Sequence, residues 1–239
     1  MTTASTTRDS STGNRLFRLA GRLVRWPLTV LVRPYPRLNG LLWDLEYALG
    51  VWRYLDRSPG RTAVALIDKY AEQPRILDLG CGTSANLPLV AGRYRHYHGV
   101  DISRAAIRTA RRLRRPDATY EVADILSYQP TGRWEVILLR EVVYYFPLPE
   151  VAPLLRRLAE ALTPNGTIIV SLYDTSDDVG RAALQCLREC GLTVREELAE
   201  PTPGQPAAVT IVLGAPSPGP AVPSAGRAEP SRGPDAGPH

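Results

Sequence analysis

An aspartate and a pair of glycines are spaced so that they can hold a ligand that carries a nucleoside. Gly80 and Gly82 end the apolar run at residues 75–79, and Asp101 ends a second apolar run about 20 residues later. Glycine has no Cβ, so a Gly-x-Gly turn lets a ligand come close to the backbone. An acid that closes the next parallel strand can take both hydroxyls of a ribose. These residues therefore predict a nucleoside cofactor at the carboxyl edge of a parallel sheet.

The neighbours of the glycines bear on which cofactor this is. A dinucleotide turn has the pattern Gly-x-Gly-x-x-Gly, and the last position here is Ala85, which by itself does not exclude NAD. No Gly-Lys-Ser/Thr follows, so the turn is not a nucleotide-triphosphate loop. Asp78 lies two residues before Gly80, where a carboxylate suits a cationic amino-acid group better than a pyrophosphate. An acid on each side of the turn favours a ligand that is itself positively charged.

The ordered motifs resemble those of class I S-adenosylmethionine (SAM)-dependent methyltransferases of the bacterial small-molecule type. The resemblance covers about residues 60 to 214 and rests on five matches in order, at residues 77–83, 97–101, 120–124, 134–139 and 162–170. It implies an α/β fold, a doubly wound, seven-stranded, mostly parallel sheet with an antiparallel last strand. The chain departs from the family pattern at Ser84, where the family often has a third glycine.

The resemblance also implies which residues bind SAM. Asp78 and Gly80 are expected near the amino-acid end of the cofactor, Asp101 at the ribose, and Asp124, at the end of the third strand, near the adenine amino group. The other cofactor-binding residues that it implies are Cys81, Gly82, Ile102, Ile125 and Arg140. For each aspartate the alternative is a turn or helix-cap role, because aspartate is common at both.

An aromatic-rich segment at residues 43–55 precedes the first strand. It resembles the helix with which bacterial small-molecule members of the family cover the cofactor. Tyr47, Trp52 and Arg53 are the residues expected at SAM, with Arg53 pairing with the cofactor carboxylate. The alternative is a core helix whose Trp43, Tyr47 and Leu55 pack below the sheet.

The segment after the fourth strand supplies the candidates for catalysis. Methyl transfer from a sulfonium is an in-line displacement that depends on alignment, and a base can take a proton from the acceptor. Glu141 can accept that proton or bind a cationic amine, and Tyr144 and Tyr145 can wall the methyl group or orient a hydroxyl. The chain lacks the Asn/Asp-Pro-Pro-aromatic run of enzymes that methylate nucleobase amines. The alternative is a helix that starts here and only packs on the sheet.

Apolar periodicity predicts the elements that position these residues. Ser103 is expected to cap a helix whose apolar side includes Ile107 and Leu113. A second helix is expected to end at the turn sequence Pro164-Asn-Gly166. The remaining elements are expected to be a fifth strand at 167–173, a helix at 178–190 and a closing hairpin of strands at 192–198 and 208–213.

Composition and charge divide the chain into three parts. A catalytic domain is expected at residues 41–214, between a basic amphipathic arm at 1–40 and a disordered Pro/Gly/Ala-rich tail at 215–239. The arm has seven arginines and one aspartate, a net charge of +6, so the other residues carry −1 of the total +5. A near-neutral body is not typical of an enzyme that binds nucleic acid, so no nucleic-acid partner is expected.

The three cysteines indicate a reducing compartment. Three is an odd number and Cys81, Cys186 and Cys190 suggest no disulfide framework, so a cytoplasmic location is expected. Cys186 and Cys190 share a helix face, but a metal site would need two further ligands, and no metal is expected.

The basic arm contains a helical pattern with three possible roles. Its arginines at 15, 18, 22 and 25 lie opposite the apolar residues Leu16, Leu19, Ala20 and Leu23. Such a helix suits the interface of an anionic membrane, but it can equally pack on the domain or form a dimer contact. Disorder is the remaining alternative. The apolar run after it is too short to span a membrane.

The expected function is therefore SAM-dependent methyl transfer to O or N of a small-molecule acceptor, in bacterial biosynthesis. Two alternatives are left open. One is a methyltransferase directed at a protein or an RNA, and the other is a catalytically silent binding protein with the same fold.

Overall fold

The computed structural model describes residues 35–50, 61–84, 87–200 and 207–216. The predictions for the arm at 1–34, for Trp52 and Arg53, and for the tail from 217 onwards lie outside these residues. The helices are α1 (Pro36–Ala48), α2 (Arg61–Tyr70), α3 (Leu87–Val90), α4 (Arg104–Arg111), α5 (Leu148–Glu160) and α6 (Asp178–Arg188). The strands are β1 (Arg75–Leu79), β2 (His96–Asp101), β3 (Ala118–Val122), β4 (Trp134–Arg140), β5 (Leu162–Leu172), β6 (Thr193–Glu200) and β7 (Ala208–Gly214).

The seven strands form one sheet in the order β3-β2-β1-β4-β5-β7-β6. Strands β1 to β5 pair in parallel, and β7 runs antiparallel between β5 and β6. The predicted mostly parallel sheet with an antiparallel last strand is therefore confirmed. After β3 at the edge, the chain crosses to the other side of β1 to form β4, so the strand order reverses between β1 and β4. Open α/β sheets bind ligands at such a reversal.

The central strands are buried on both faces, as their continuous apolar runs predict. In β4, Ile137 and Leu139 face a core that includes Leu154 and Leu158 of α5. The alternate residues Val136 and Leu138 face a second core that includes residues of α2. Each fully buried leucine or isoleucine side chain contributes about 1.5–3 kcal/mol to the free energy of unfolding. The sheet is thus a rigid platform whose strand ends hold their positions.

Several helix bounds differ from the sequence-based ones. The helix expected at 43–55 begins at Pro36, because proline suits the first turn, and ends at Ala48. Gly50 follows with φ +69°, a left-handed conformation that commonly ends a helix. Ser103 caps α4 as predicted, since its hydroxyl oxygen accepts the Ala106 N–H at 3.0 Å. Leu113 lies beyond the end of this helix and is 37% exposed, so its prediction as part of the apolar side was wrong.

The domain boundary expected at residue 40 falls inside α1. No helix in the described ranges is long and apolar enough to cross a membrane.

Strand β5 contains the sequence that was expected to be a turn. Leu162 pairs with Trp134 and Thr167 pairs with Val136, so five residues on β5 cover the span of two on β4. Pro164 and Asn165 are exposed in this extra length, whereas Gly166 is buried. The turn residues therefore mark a bulge inside the strand, and the prediction that they end the preceding helix was wrong. A bulge accommodates an unpaired proline because its missing N–H removes no ladder hydrogen bond.

The bulge leaves no room for a side chain at Gly166. A Cβ there would lie 2.8 Å from the Trp134 carbonyl oxygen and 3.1 Å from Leu162 Cβ. We expect Gly166→Ala to lower the free energy of unfolding by about 1–3 kcal/mol, the usual effect of overpacking a buried site. Urea unfolding measures this change. The neighbouring exposed control Asn165→Ala should stay within about 0.5 kcal/mol of the unsubstituted protein, and equal effects of the two would contradict the packing argument.

Candidate functional site

A cleft lies at the carboxyl ends of the central strands, beside the reversal of strand order between β1 and β4. The cleft is open, and its space, counted together with the solvent at its mouth, is about 860 Å³. Its described lining comes from α1, from the turns after β1, β2 and β3, and from the segment after β4. These residues are Asn39, Trp43, Tyr47, Gly80, Asp101, Ile102, Asp124, Ile125, Leu126, Arg140, Glu141, Val142, Tyr145 and Phe146.

The turn after β1 has the backbone that the Gly-x-Gly pattern predicts. Gly80 and Gly82 have φ of +81° and +55°, a region that glycine adopts without a steric penalty. A Cβ on Gly80 would collide with the Val142 side chain, and a Cβ on Gly82 would lie 2.6 Å from the Tyr47 hydroxyl oxygen. The two glycines thus allow both the segment after β4 and helix α1 to close on the turn.

Cys81 and Gly82 contribute backbone groups rather than side chains to this region. A Cβ on Gly99 would lie 2.8 Å from Cys81 Sγ, so the thiol packs against β2. Burial raises the pKa of the Cys81 thiol well above its usual value, so the group is neutral at ordinary pH. The Gly82 N–H donates to the Asp101 carboxylate, as described next.

Asp101 is buried at the end of β2, and each of its carboxylate oxygens accepts one backbone N–H. Oδ2 accepts from Gly82 at 2.9 Å and Oδ1 from Ser103 at 2.8 Å. Burial raises the pKa of Asp101 to about 6, although these two hydrogen bonds lower it, and the charges of Asp78 and Asp44 raise it further. An ionised carboxylate has about four acceptor sites, so two lone pairs are left for donors in the cleft. Because folding raises this pKa, the contribution of Asp101 to stability declines as the pH rises from about 4 to about 6.

Asp78 belongs to a buried network beneath the glycine turn and does not line the cleft. The Tyr97 hydroxyl donates to Asp78 Oδ2 at 2.5 Å and lies 3.2 Å from Ser84 Oγ. Since the tyrosine proton points to Asp78, the serine hydroxyl donates to Tyr97. Burial raises the pKa of Asp78, while the Tyr97 hydrogen bond and the positive charge of Arg140 act in the opposite direction. The other oxygen, Asp78 Oδ1, is buried without a hydrogen-bond partner among the described residues.

Ser84 is the position where the chain departs from the glycine pattern. Its φ is +53°, in the left-handed region that costs a residue with a Cβ about 1–2 kcal/mol. The hydrogen bond to Tyr97 offsets part of this cost. Tyr97 therefore joins the residue before the turn, Asp78, to the residue after it, Ser84.

The sequence had placed Asp124 at the end of the third strand. In the structure β3 ends at Val122, two residues before Asp124. One of its oxygens accepts the Leu126 N–H at 3.0 Å, which is the turn role left open for this residue. Asp124 nevertheless lines the cleft, and Ile125, which is 7% exposed, lies beside it. The turn hydrogen bond fixes the direction of the side chain without using its second oxygen.

Helix α1 covers the cleft, and its Asp44 hydrogen-bonds to the start of α4. Asp44 Oδ1 accepts from the Ser103 hydroxyl at 2.7 Å and from the Ala105 N–H at 2.8 Å. A Cβ on Gly40 would lie 3.3 Å from the Ile102 carbonyl oxygen, so the helix packs closely on the turn after β2. Asn39 Oδ1 is buried without a hydrogen-bond partner in the described parts of the chain, and Asn39 lines the cleft.

Glu141 follows β4 in a strained backbone conformation, with φ +58°. Its Oε2 accepts the Tyr173 N–H at 2.7 Å and a short hydrogen bond from the Tyr144 hydroxyl. Glu141 lines the cleft, whereas Tyr144 does not. Tyr144 therefore orients the carboxylate, and the roles expected for the two tyrosines, walling the methyl group or orienting a hydroxyl, stay predictions. A non-glycine residue held at positive φ is characteristic of functional sites.

Tyr145 and Trp43 form the aromatic side of the cleft. Their ring centroids are 5.2 Å apart with the planes at 89°, the edge-to-face geometry that aromatic pairs prefer. This contact links α1 to the segment after β4. Arg140 lines the same end of the cleft, and its charge acts on Asp78.

The structure brings most of the sequence-derived residues to one cleft and adds others. The lining includes Tyr47, Gly80, Asp101, Ile102, Asp124, Ile125, Arg140, Glu141 and Tyr145, and it does not include Asp78, Cys81, Gly82 or Tyr144. Trp52 and Arg53 lie outside the described residues. The cleft has four further lining residues that the sequence did not predict, Asn39, Leu126, Val142 and Phe146, and Trp43 was predicted only as a core residue. A sequence signal existed for Trp43 alone, since it shares a helix face with Tyr47 four residues later.

Comparison with known proteins agrees with this geometry. The family model described as methyltransferase domain matches residues 51–197, more than half of the chain. A trans-aconitate 2-methyltransferase of Methylobacterium nodulans is 34% identical over 110 residues, which cover 45% of this chain and 42% of that protein. A second, from Sinorhizobium medicae, is 32% identical over 122 residues, covering 50% and 46%. The chain thus spans less than half the length of these relatives.

Solved structures of the same fold include two named methyltransferases. A TehB-like SAM-dependent methyltransferase of Corynebacterium glutamicum superimposes with a TM-score of 0.58 at 21% identity, covering 74% of this chain and 100% of that one. The N-methyltransferase NodS of Bradyrhizobium japonicum, in complex with S-adenosyl-L-homocysteine, has a TM-score of 0.56 at 18% identity, with 65% and 85% covered. At these identities the likeness establishes the fold.

The Tyr97 network predicts that Ser84 and Tyr97 are energetically coupled. Tyr97→Phe leaves a buried carboxylate oxygen of Asp78 without its donor, which we expect to cost about 1–3 kcal/mol of unfolding free energy. Ser84→Gly relieves the left-handed strain but removes the donor to Tyr97. In a double-mutant cycle measured by urea unfolding, the two changes should therefore differ from additivity by about 0.5 kcal/mol or more.

The matched control for this cycle is Tyr128→Phe, at a buried tyrosine outside the network. It should combine additively with Ser84→Gly. If Tyr97→Phe and Ser84→Gly also combined additively, the network would not stabilise the turn.

Proposed function

Because the chain belongs to the methyltransferase domain family, we propose that it transfers a methyl group from SAM to O or N of a small-molecule acceptor. SAM is the cofactor that this family implies. The observation that carries the proposal is the buried Asp101 carboxylate, which faces the cleft at the reversal of strand order and keeps lone pairs for two donors. The vicinal hydroxyls of a ribose are two such donors.

The residues of the cleft fit the parts of SAM. Asp101 would hold the ribose, with Ile102 beside it, and Asp124 with Ile125 would contact the adenine ring and its amino group. Both isoleucines line the cleft and supply the apolar surface that an adenine ring requires.

The amino-acid end of SAM fits the glycine turn. The buried, unpartnered Oδ1 of Asp78 is a polar atom in need of a donor, and a cationic amino group approached over Gly80 would supply it. Arg140 would pair with the carboxylate of the same group. Cys81 and Gly82 would contribute backbone, and Tyr47 the wall above them. Trp52 and Arg53, which the sequence predicts as cofactor-binding residues, belong to this proposal as well.

The acceptor is expected at the β4 end of the cleft. When bound, SAM supplies a methyl group made electrophilic by its sulfonium. The work of this chain is to align an acceptor atom with that methyl group and to take up the proton that the acceptor loses. Glu141 is the group placed to accept that proton, because its carboxylate lines the cleft and is oriented by the Tyr144 hydroxyl and the Tyr173 N–H. Trp43 and Tyr145 wall the acceptor.

The charges of the cleft bear on the kind of acceptor. Trans-aconitate, the substrate named for the relatives, is a tricarboxylic acid. Of the charged groups of the described lining at the β4 end, Arg140 is assigned to the carboxylate of SAM, so the acceptor meets the Glu141 carboxylate. Several cations would be needed to pair with three carboxylates. We therefore propose a neutral or amine-bearing small molecule as the acceptor.

A cytoplasmic location belongs to the same proposal. It is supported by the free thiols of Cys81, Cys186 and Cys190, since reduced cysteines are typical of that compartment.

The function is tested by incubating the protein with tritiated SAM and extract that has been separated by size. Label should enter the fraction of small molecules. Label in protein or RNA would support the macromolecule-directed alternative, and SAM binding without any transfer would support the silent one.

The Asp101 proposal predicts a pH-dependent affinity for SAM. The hydroxyls of ribose need an ionised carboxylate as acceptor, and the pKa of Asp101 is about 6. SAM affinity should therefore fall as the pH drops through about 6, with a plateau above it. Asp101→Asn should weaken binding by about 1.5–3 kcal/mol for each charge-assisted hydrogen bond lost and should remove the inflection. Calorimetric titration of SAM over this range measures both effects.

The control for this titration is Asp68→Asn, at an exposed carboxylate of α2 that does not line the cleft. It should leave the pH profile unaltered. An inflection near pH 6 that persists in Asp101→Asn would exclude this carboxylate as the ribose ligand.

The Glu141 proposal predicts a loss of turnover without a loss of cofactor. Glu141→Gln keeps the side-chain shape but removes the base, so kcat should fall by about 10²-fold or more. SAM affinity should stay near that of the unsubstituted protein because the residue lies at the acceptor end. Transfer of tritium into the small-molecule fraction measures the first quantity and calorimetry the second. Glu150→Gln, at an exposed glutamate of α5, is the matched control. Normal turnover of Glu141→Gln would mean that alignment alone drives the transfer.

A further inference from the structure

Helix α1 presents an uncovered apolar stripe on the face opposite the cleft. Leu38, Leu41, Leu45 and Leu49 are 50%, 62%, 56% and 71% exposed, and Tyr35 at the start is 60% exposed. These residues recur at intervals of three and four, so they form one face of the helix. The inward face carries Asn39, Trp43 and Tyr47 of the cleft. Large apolar side chains lined up on a surface in this way mark a binding face.

The segment that precedes α1 has an apolar stripe of matching length and spacing. Leu16, Leu19 and Leu23 are separated by three and four residues, as are Leu38, Leu41 and Leu45. Residues 15–26 as a helix would be about 18 Å long, close to the roughly 20 Å of the 13 residues of α1. Nine residues, 27–35, join the two, about one more than the upper end of the range common between packed helices.

We propose that residues 15–26 pack as an antiparallel helix across the outward face of α1, with their leucines on its leucine stripe. In this arrangement Leu23 meets Leu38 and Leu16 meets Leu45, because the two pairs have the same midpoint in the sequence and that midpoint lies within the connection. The arginines at 15, 18, 22 and 25 then point into water, on the side away from the stripe. Both apolar faces are buried by one contact within the chain.

The charges of α1 favour this occupant over a membrane. Anionic membranes bind helices that carry basic residues beside the apolar face. Residues 36–48 carry one basic residue, Arg37, and two acidic ones, Asp44 and Glu46, a net charge of −1 that does not attract an anionic membrane. A second copy of the chain is disfavoured because a contact between two α1 stripes would leave the apolar stripe of each arm uncovered. The covalent connection also gives the arm a high effective concentration at α1.

Paired cysteines in the full-length protein test this arrangement. Leu23→Cys with Leu38→Cys, and Leu16→Cys with Leu45→Cys, should each form a disulfide within one chain under mild oxidation. The mismatched pair Leu16→Cys with Leu38→Cys uses the same residues but places them about seven positions, or roughly 10 Å, apart along the helices. It should react at least about tenfold more slowly, because a disulfide needs Cα atoms within about 7 Å. Peptide mapping identifies the bonds and distinguishes them from bonds to native cysteines.

Three results would overturn the proposal. Equal rates for matched and mismatched pairs would mean that the arm does not occupy a fixed position on α1. Disulfides found only between two chains would assign the stripe to a second copy. Sedimentation of the full-length protein with phosphatidylserine-containing vesicles that is lost in Leu41→Glu would assign the stripe to a membrane.

Discussion

The site depends on one buried carboxylate that ties two pieces of backbone together. Asp101 accepts the N–H of Gly82 through one oxygen and the N–H of Ser103 through the other. The first bond fixes the glycine turn after β1, and the second fixes the start of α4. An aspartate in this position is held by the fold before any ligand arrives, so its remaining lone pairs have a defined direction. The elevated pKa shows that burial, rather than pairing with a cation, dominates its environment.

The other walls of the cleft are attached to this centre. Ser103, whose N–H binds Asp101, also donates its hydroxyl to Asp44 and so secures α1. Helix α1 in turn meets the segment after β4 through the Trp43–Tyr145 contact, and that segment packs on Gly80. The cleft is therefore enclosed by a closed ring of contacts. Apart from the bond between Asp101 and Ser103, each contact in the ring joins elements that are distant in sequence, and such contacts can maintain the strained φ of Glu141.

The elements that depend on local sequence pattern could be predicted from the sequence. The features that depend on contacts between side chains distant in sequence could not. The strands β1, β2 and β4 and the cap at Ser103 follow from apolar runs and from a serine before a periodic segment. The bulge at Gly166 was taken for a turn because the same residues mark both, and only pairing with Trp134 distinguishes them. Tyr144 orients Glu141 together with the Tyr173 N–H. Tyr173 is distant from Glu141 in sequence, so residue spacing does not predict that the two meet. Asp124 lines the cleft although β3 ends two residues before it, and its contact with adenine stays a prediction.

The contacts of α1 have a consequence for how the two ends of the cleft depend on each other. Tyr47 of the helix packs on Gly82 at one end of the cleft, and Trp43 packs on Tyr145 at the other end of the cleft. A rigid helix that touches both ends moves as one body, so displacing it at either end loosens the other. The contacts that shape both ends of the cleft are thus made by one element, so a substitution that shifts α1 alters both ends together.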